Sequence, residues 1–161
     1  MHSKSTRCLI LACGNTLRED DGVGPWLAEW AEERFAATAG VRVVSRHQWT
    51  PELTDEIAAA ASVLFIDCAT DAEPGELRIE PVEMGGGSSG LATHHLDAGE
   101  LLRLTSELYG AQPQNCRQLT IGAGSLEMRE GFSDAVEKAL PEACRLIEAT
   151  VAAWIPDAES A

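Results

Sequence analysis

The sequence predicts one α/β domain, a mostly parallel twisted sheet of about five strands with helices on both faces, layered in three. Three observations carry this reading. Residues 8–13 and 63–66 are short runs without a polar residue, as expected of strands covered on both faces. Segments between such runs place apolar residues three and four apart, the period of a helix. Strands that alternate with helices are joined by crossovers, which parallel pairing requires. The chain has 161 residues, the length of one ordinary domain, and neither a repeat nor a linker divides it. Residues 1–6 and 157–161 are read as frayed ends.

The elements follow in order. The first strand, 8–13, ends at Gly14-Asn15, a turn signal. A helix over 23–35 carries Val23, Trp26, Leu27, Trp30 and Ala31 on one face, with Pro25 suited to its first turn. Trp26, Trp30 and Trp154 read as helix core. After Gly40 comes a second strand over 41–44, and Pro51 then opens a helix to about residue 60 with acidic residues in its first turns. The third strand, 63–66, stops at Asp67. A turn at Glu73-Pro74-Gly75 precedes an alternating strand over 77–82, and residues 84–90 form a Gly/Ser-rich loop. Asp97 caps a helix over 98–109, residues 119–121 form a strand ending at Gly122, and Ser133 caps a last helix reaching about residue 155.

Charge and composition exclude several classes. Asp plus Glu number 26 against 12 Lys plus Arg, a net charge of −14, which repels nucleic acid and anionic lipid and favours cationic partners. No apolar run approaches the ~20 residues that span a bilayer, so no membrane role is expected. Residues 1–7 do not read as a secretory signal, and the expected location is the cytoplasm. Cys8, Cys13, Cys68, Cys116 and Cys144 are odd in number and never spaced as C-x-x-C, which fits neither a disulfide framework nor a zinc ribbon.

Ligands of such sheets bind beyond the carboxyl ends of the strands, where strand order reverses. Three polar segments leave that edge: residues 14–22, Asp67, and Thr93-His94-His95. If the first and third strands are neighbours, their carboxylates share a crevice. Two carboxylates and an imidazole there make an oxygen and nitrogen site for a zinc- or nickel-like ion. Plainer readings stand beside this one. Asp20 or Asp21 can cap the following helix. Asp67 must either reach solvent or be paired. Of the adjacent His94 and His95, one points away in an extended segment. Cys68 or Cys13 with His94 would make a thiolate nucleophile, although buried cysteine is usually a small apolar residue. Gly122-Ala123-Gly124 lacks the third glycine of a dinucleotide fingerprint and reads as a turn. Asp71, Glu73 and Glu76 read as a solvated acidic rim.

Residues 9–24, LILACGNTLREDDGVG, resemble the opening signature of the hydrogenase maturation proteases. The resemblance continues through His47-Gln48-Trp49-Thr50-Pro51-Glu52-Leu53, through VLFIDCA with Asp67, through Thr-His-His before a Leu-Leu helix, and through residues 125–136. It implies a phosphorylase/hydrolase-like fold and an endopeptidase that trims the carboxyl terminus of a nickel-iron hydrogenase large-subunit precursor, working as a monomer. It also implies a metal-contacting triad at Asp21, Asp67 and His94, with His95 an alternative to His94, and nickel supplied by the precursor rather than held permanently. Asp21 stands where some members carry Glu, one methylene longer, and Gly122 to Ser125 depart from a more Glu/Pro-rich pattern. Two other functions are compatible with these residues: a non-enzymatic nickel chaperone, and a cysteine hydrolase using Cys68 or Cys13 with His94.

Overall fold

The computed structural model describes residues 5–85 and 96–156. In chain order the elements are β1 (Thr6–Cys13), α1 (Val23–Arg34), β2 (Val41–Arg46), α2 (Thr54–Ala58), β3 (Ala60–Ala69), β4 (Leu77–Pro81), α3 (Ala98–Tyr109), β5 (Asn115–Gly122) and α4 (Asp134–Trp154). One sheet holds all five strands in the order β2-β1-β3-β5-β4. Every pairing is parallel except that of β4 with β5 at the edge. The expected neighbours, β1 and β3, lie side by side in register from Thr6 against Ala60 to Ala12 against Ile66.

Alternation along the central strands divides the core in two. Ile10, Ala12, Leu64 and Ile66 face α1 and α4, where they meet Leu27, Ala31, Ala143 and Ile147. Leu9, Leu11, Val63 and Phe65 face α2 and α3, where they meet Ile57, Leu101 and Leu102. This two-sided burial is why β1 and β3 read as unbroken apolar runs. The caps hold as expected: Asp97 accepts a 2.8 Å hydrogen bond from the Glu100 N–H, and the Ser133 hydroxyl accepts from the Val136 N–H. Gly110 ends α3 in the left-handed conformation at φ 62°.

Several expectations need correction. The third strand does not stop at Asp67, because β5 continues to pair with it at Asp67, Cys68 and Ala69. Similarly β5 begins at Asn115 rather than Leu119, its polar first half being held between β3 and the edge strand. The helix opened by Pro51 is a 3-10 turn over Pro51–Leu53 followed by the five residues of α2. β1 already includes Thr6, whose N–H donates to the Ala59 carbonyl. The tryptophans read as core are not: Trp26 is 39% exposed, and Trp30 and Trp154 only pack against the rim of the core, whereas Trp49, outside any helix, is buried edge-on to Phe65. Most of the Gly/Ser-rich loop and the tail from residue 157 lie outside the described residues.

These burial differences set stability. Phe65→Ala should lower the unfolding free energy by about 3–5 kcal/mol. Trp30→Ala should cost less than about half of that, its partly buried ring resting on Phe35 at 6.2 Å at the rim of the core. Chemical denaturation of both variants measures the ratio.

Candidate functional site

β1 delivers the chain to Gly14, where it reverses sharply. The φ of Gly14 is +151°, and a side chain there would collide with the Asp21 carbonyl, so glycine lets the loop fold back on the strand. Asn15 turns the loop through its own side chain, whose Oδ1 accepts from the Leu17 N–H. The loop closes in a 3-10 turn over Glu19–Gly22. Its three acidic residues have distinct environments.

Glu19 and Asp20 are structural. Asp20 is fully buried, and its carboxylate accepts hydrogen bonds from the N–H groups of Gly124 (2.7 Å), Ser125 (2.9 Å) and Ser133 (2.8 Å) and from the Ser133 hydroxyl (2.6 Å). Glu19 holds φ +46°, a strained conformation for a side-chain-bearing residue. Its carboxylate pairs with Arg129 at 2.7 Å and accepts from the Ser125 hydroxyl. The Arg129 guanidinium and that hydroxyl hold the Glu19 carboxyl below its usual range. Neither Asp20 nor Asp21 caps α1, whose first residue follows Gly22 without a side-chain cap.

Asp21 alone of the three lines the cleft at the carboxyl edge of the sheet. Its Oδ2 accepts from the Asn15 N–H at 2.9 Å. Asp67 reaches the same cleft from β3, on the face it shares with Phe65 and Cys13. It is paired, as a buried carboxylate must be: Oδ1 accepts from the Cys68 N–H at 2.8 Å, and the Cys13 thiol donates to it. Burial pushes the Asp67 carboxyl up to about 6, helped by the nearby Asp21 charge and opposed by the two hydrogen bonds.

The cleft encloses about 500 Å³. Its wall also includes Arg18, His47, Trp49 and Glu100. Of these, His47 is the chemically capable residue the site reading passed over; it directly follows β2, and a search of every strand's carboxyl end would have included it. Leu96 and Asp97 bring the segment before α3 to the same wall, while His94 and His95 lie outside the described residues. Among the described residues no group of three or more His, Cys, Asp and Glu side chains is placed to hold a metal ion.

The thiols are poor nucleophiles. All five cysteines are free. Burial, followed by Asp67 and Asp21, pushes the Cys13 thiol far up, and burial with the same carboxylates pushes Cys68 up to about 12. A thiolate beside two carboxylates in a buried cleft is disfavoured, which counts against the cysteine hydrolase.

Two predictions separate the acidic residues. Asp20→Ala strands three backbone donors and should cost about 3–5 kcal/mol in denaturation, whereas Asp21→Asn should stay within about 1 kcal/mol of wild type. Asp67 binds its proton more tightly folded, at about 6, than at the ordinary 3.8, so its contribution to stability falls as pH rises through that window. Asp67→Asn should therefore melt above wild type at pH 8, by at most about 3 kcal/mol, and the gain should vanish near pH 3.

No family model matches the sequence, and no curated protein matches it. Solved structures do. The chain is similar to the hydrogenase maturating endopeptidase HybD from Escherichia coli, with a TM-score of 0.75 and 19% identity over 91% of this chain and 92% of that one. It is similar to the [NiFe] hydrogenase maturation protease HycI from Thermococcus kodakarensis, with a TM-score of 0.68 and 26% identity over 88% and 90%. A hydrogenase 2 maturation peptidase from a Thaumarchaeota archaeon gives a TM-score of 0.61 and 23% identity over 91% and 98%. Over nearly its whole length, the chain has the fold of the hydrogenase maturation proteases.

Proposed function

We propose that the protein is an endopeptidase that removes a carboxyl-terminal peptide from the nickel-loaded precursor of a nickel-iron hydrogenase large subunit. The observation that carries this reading is the meeting of Asp21 and Asp67 in one cleft, at the carboxyl ends of adjacent strands, in a fold shared with hydrogenase maturation proteases. Nickel arrives as part of the substrate and is its recognition element. Asp21 and Asp67 supply oxygen ligands and His94 an imidazole, a donor set that suits nickel. Leu96, two positions after His94, lines the cleft, which supports the third assignment.

The electrostatics explain why loading would matter. Two carboxylates that raise each other's energy in a buried cleft are stabilised by an incoming divalent cation. A precursor with nickel gains that attraction and one without it does not, which is the differential affinity a checkpoint needs. The ion can polarise the scissile carbonyl or activate water. The described residues offer no activated thiol to compete with this chemistry. The enzyme would act as a monomer in a reducing, cytoplasmic compartment, which five free thiols favour. Among the described residues, no helix is long and apolar enough to cross a membrane.

Intact mass of nickel-loaded and nickel-free precursor after incubation with the protein tests the reading. Loss of one defined carboxyl-terminal peptide from the loaded form alone is expected. Cleavage of both forms discards the nickel checkpoint, and cleavage of neither discards the protease. Asp67→Ala and His94→Ala should each lower processing by more than about 100-fold with the fold intact by circular dichroism, since even partners that merely orient a metal ligand act on a 10–100-fold scale.

A further inference from the structure

We infer that the outer side of the first loop is a docking surface for a basic segment of the same precursor, anchored by an apolar side chain; this inference rests on the function proposed above. A groove of about 380 Å³ lies between the start of α1 and residues 130–132. Trp26 and Phe132 line it, with their rings edge-on at 6.4 Å. Trp26 is 39% exposed in its first-turn position, and the two loops that contribute to the groove each carry a further exposed apolar side chain outside its lining, Leu17 (54%) and Met128 (76%). Those loops are tied together by the Glu19 N–H to the Arg129 carbonyl at 2.8 Å and by the Glu19–Arg129 ion pair. Exposed apolar side chains scattered singly need no explanation, but a part-exposed tryptophan paired with a phenylalanine in the wall of a groove marks a contact surface, and tryptophan is among the residues enriched at binding hot spots.

The position points to the precursor as occupant. The loops around the groove leave the carboxyl ends of β1 and β5, the same sheet edge at which the cleft opens. One loop serves both: Asp21 lines the cleft, while Thr16, Glu19 and Gly22 line the groove. The groove is thus within reach of a protein whose tail lies in the cleft. Charge specifies the segment. Glu29 and Glu130 line the groove without a salt bridge among the described residues, while Glu19 is already neutralised by Arg129. With a net charge of −14 behind them, these carboxylates favour Lys or Arg on the incoming segment, and the exposed Trp26 ring offers a face for the same cation. Holding the precursor at two points raises the effective concentration of its tail at the cleft.

Steady-state processing of nickel-loaded precursor by wild type, Trp26→Ala and the double variant Glu29→Lys/Glu130→Lys tests this. The expected result is a KM raised about tenfold in each variant with kcat within about twofold, a salt-dependent KM in wild type that flattens in the double variant, and cooperative melting of each variant above the assay temperature. Unchanged KM in both variants overturns the inference. Should wild type cleave no precursor, the proposed function fails separately, and calorimetric binding of the precursor decides this one: binding weakened by the variants retains the surface, while equal or absent binding overturns it. A wild-type dimer in sedimentation that Trp26→Ala dissociates also overturns it, because the occupant is then a second copy of the chain.

Discussion

The burial of β1 and β3 on both faces is the constraint from which the rest of the molecule follows. From Cys8 in β1 and from Ala60 in β3, side chains have neighbours above and below, so they are small or apolar until the strands reach their carboxyl ends. Chemistry is pushed to that edge. Cys13 closes the α2-facing row of β1, Asp67 follows Phe65 in that of β3, and the two meet there with hydrogen bonds in place. The energetic cost of keeping a carboxylate there is visible in the elevated proton affinity of Asp67, a cost that core residues at the same depth do not carry. Perturbation of this kind concentrates at functional sites, because a site must hold groups in states that folding alone would avoid.

Much of this was legible in the sequence, and for identifiable reasons. Unbroken apolar runs reveal central parallel strands, and Asp97 and Ser133 announce their helices because capping is a local interaction. The candidate site was legible in part: strand adjacency followed from a common sheet order, and Asp67 stood out as a charge ending an apolar run. Local patterns could not separate Glu19, Asp20 and Asp21, three consecutive acids of which the first two are held by residues more than a hundred positions away while the third bonds within its own loop and faces the cleft. For the same reason β5 was undersized, since Arg117 and Gln118 owe their strand conformation to pairing partners on both sides. Helical periodicity placed Trp26 and Trp30 on the apolar face of α1, but a wide indole at the border of that face stays partly in water.

The first loop is rigid because it is held from outside itself. Gly14 lets it fold back, Asn15 turns it, and the carboxylates of Glu19 and Asp20 fasten it to the stretch between β5 and α4. Asp21 is thereby presented to the cleft from a frame fastened by its two neighbours, to which its own carboxylate adds a bond within the loop from the Asn15 N–H. The division of labour explains how adjacent residues of one chemical type can differ so much in consequence when altered.

The fastening has a further effect, on the order in which the molecule comes together. The hydrogen bonds of Asp20 span 104 to 113 residues of chain. Closing loops of that length is slow and follows the formation of nearer contacts. A chain emerging from the ribosome can pair β1 with β2 and β3 early, but the first loop has no frame until residues 124–133 have been made and α4 has docked. The loop that carries Asp21 is thus fastened late, once residues 124–133 are in place.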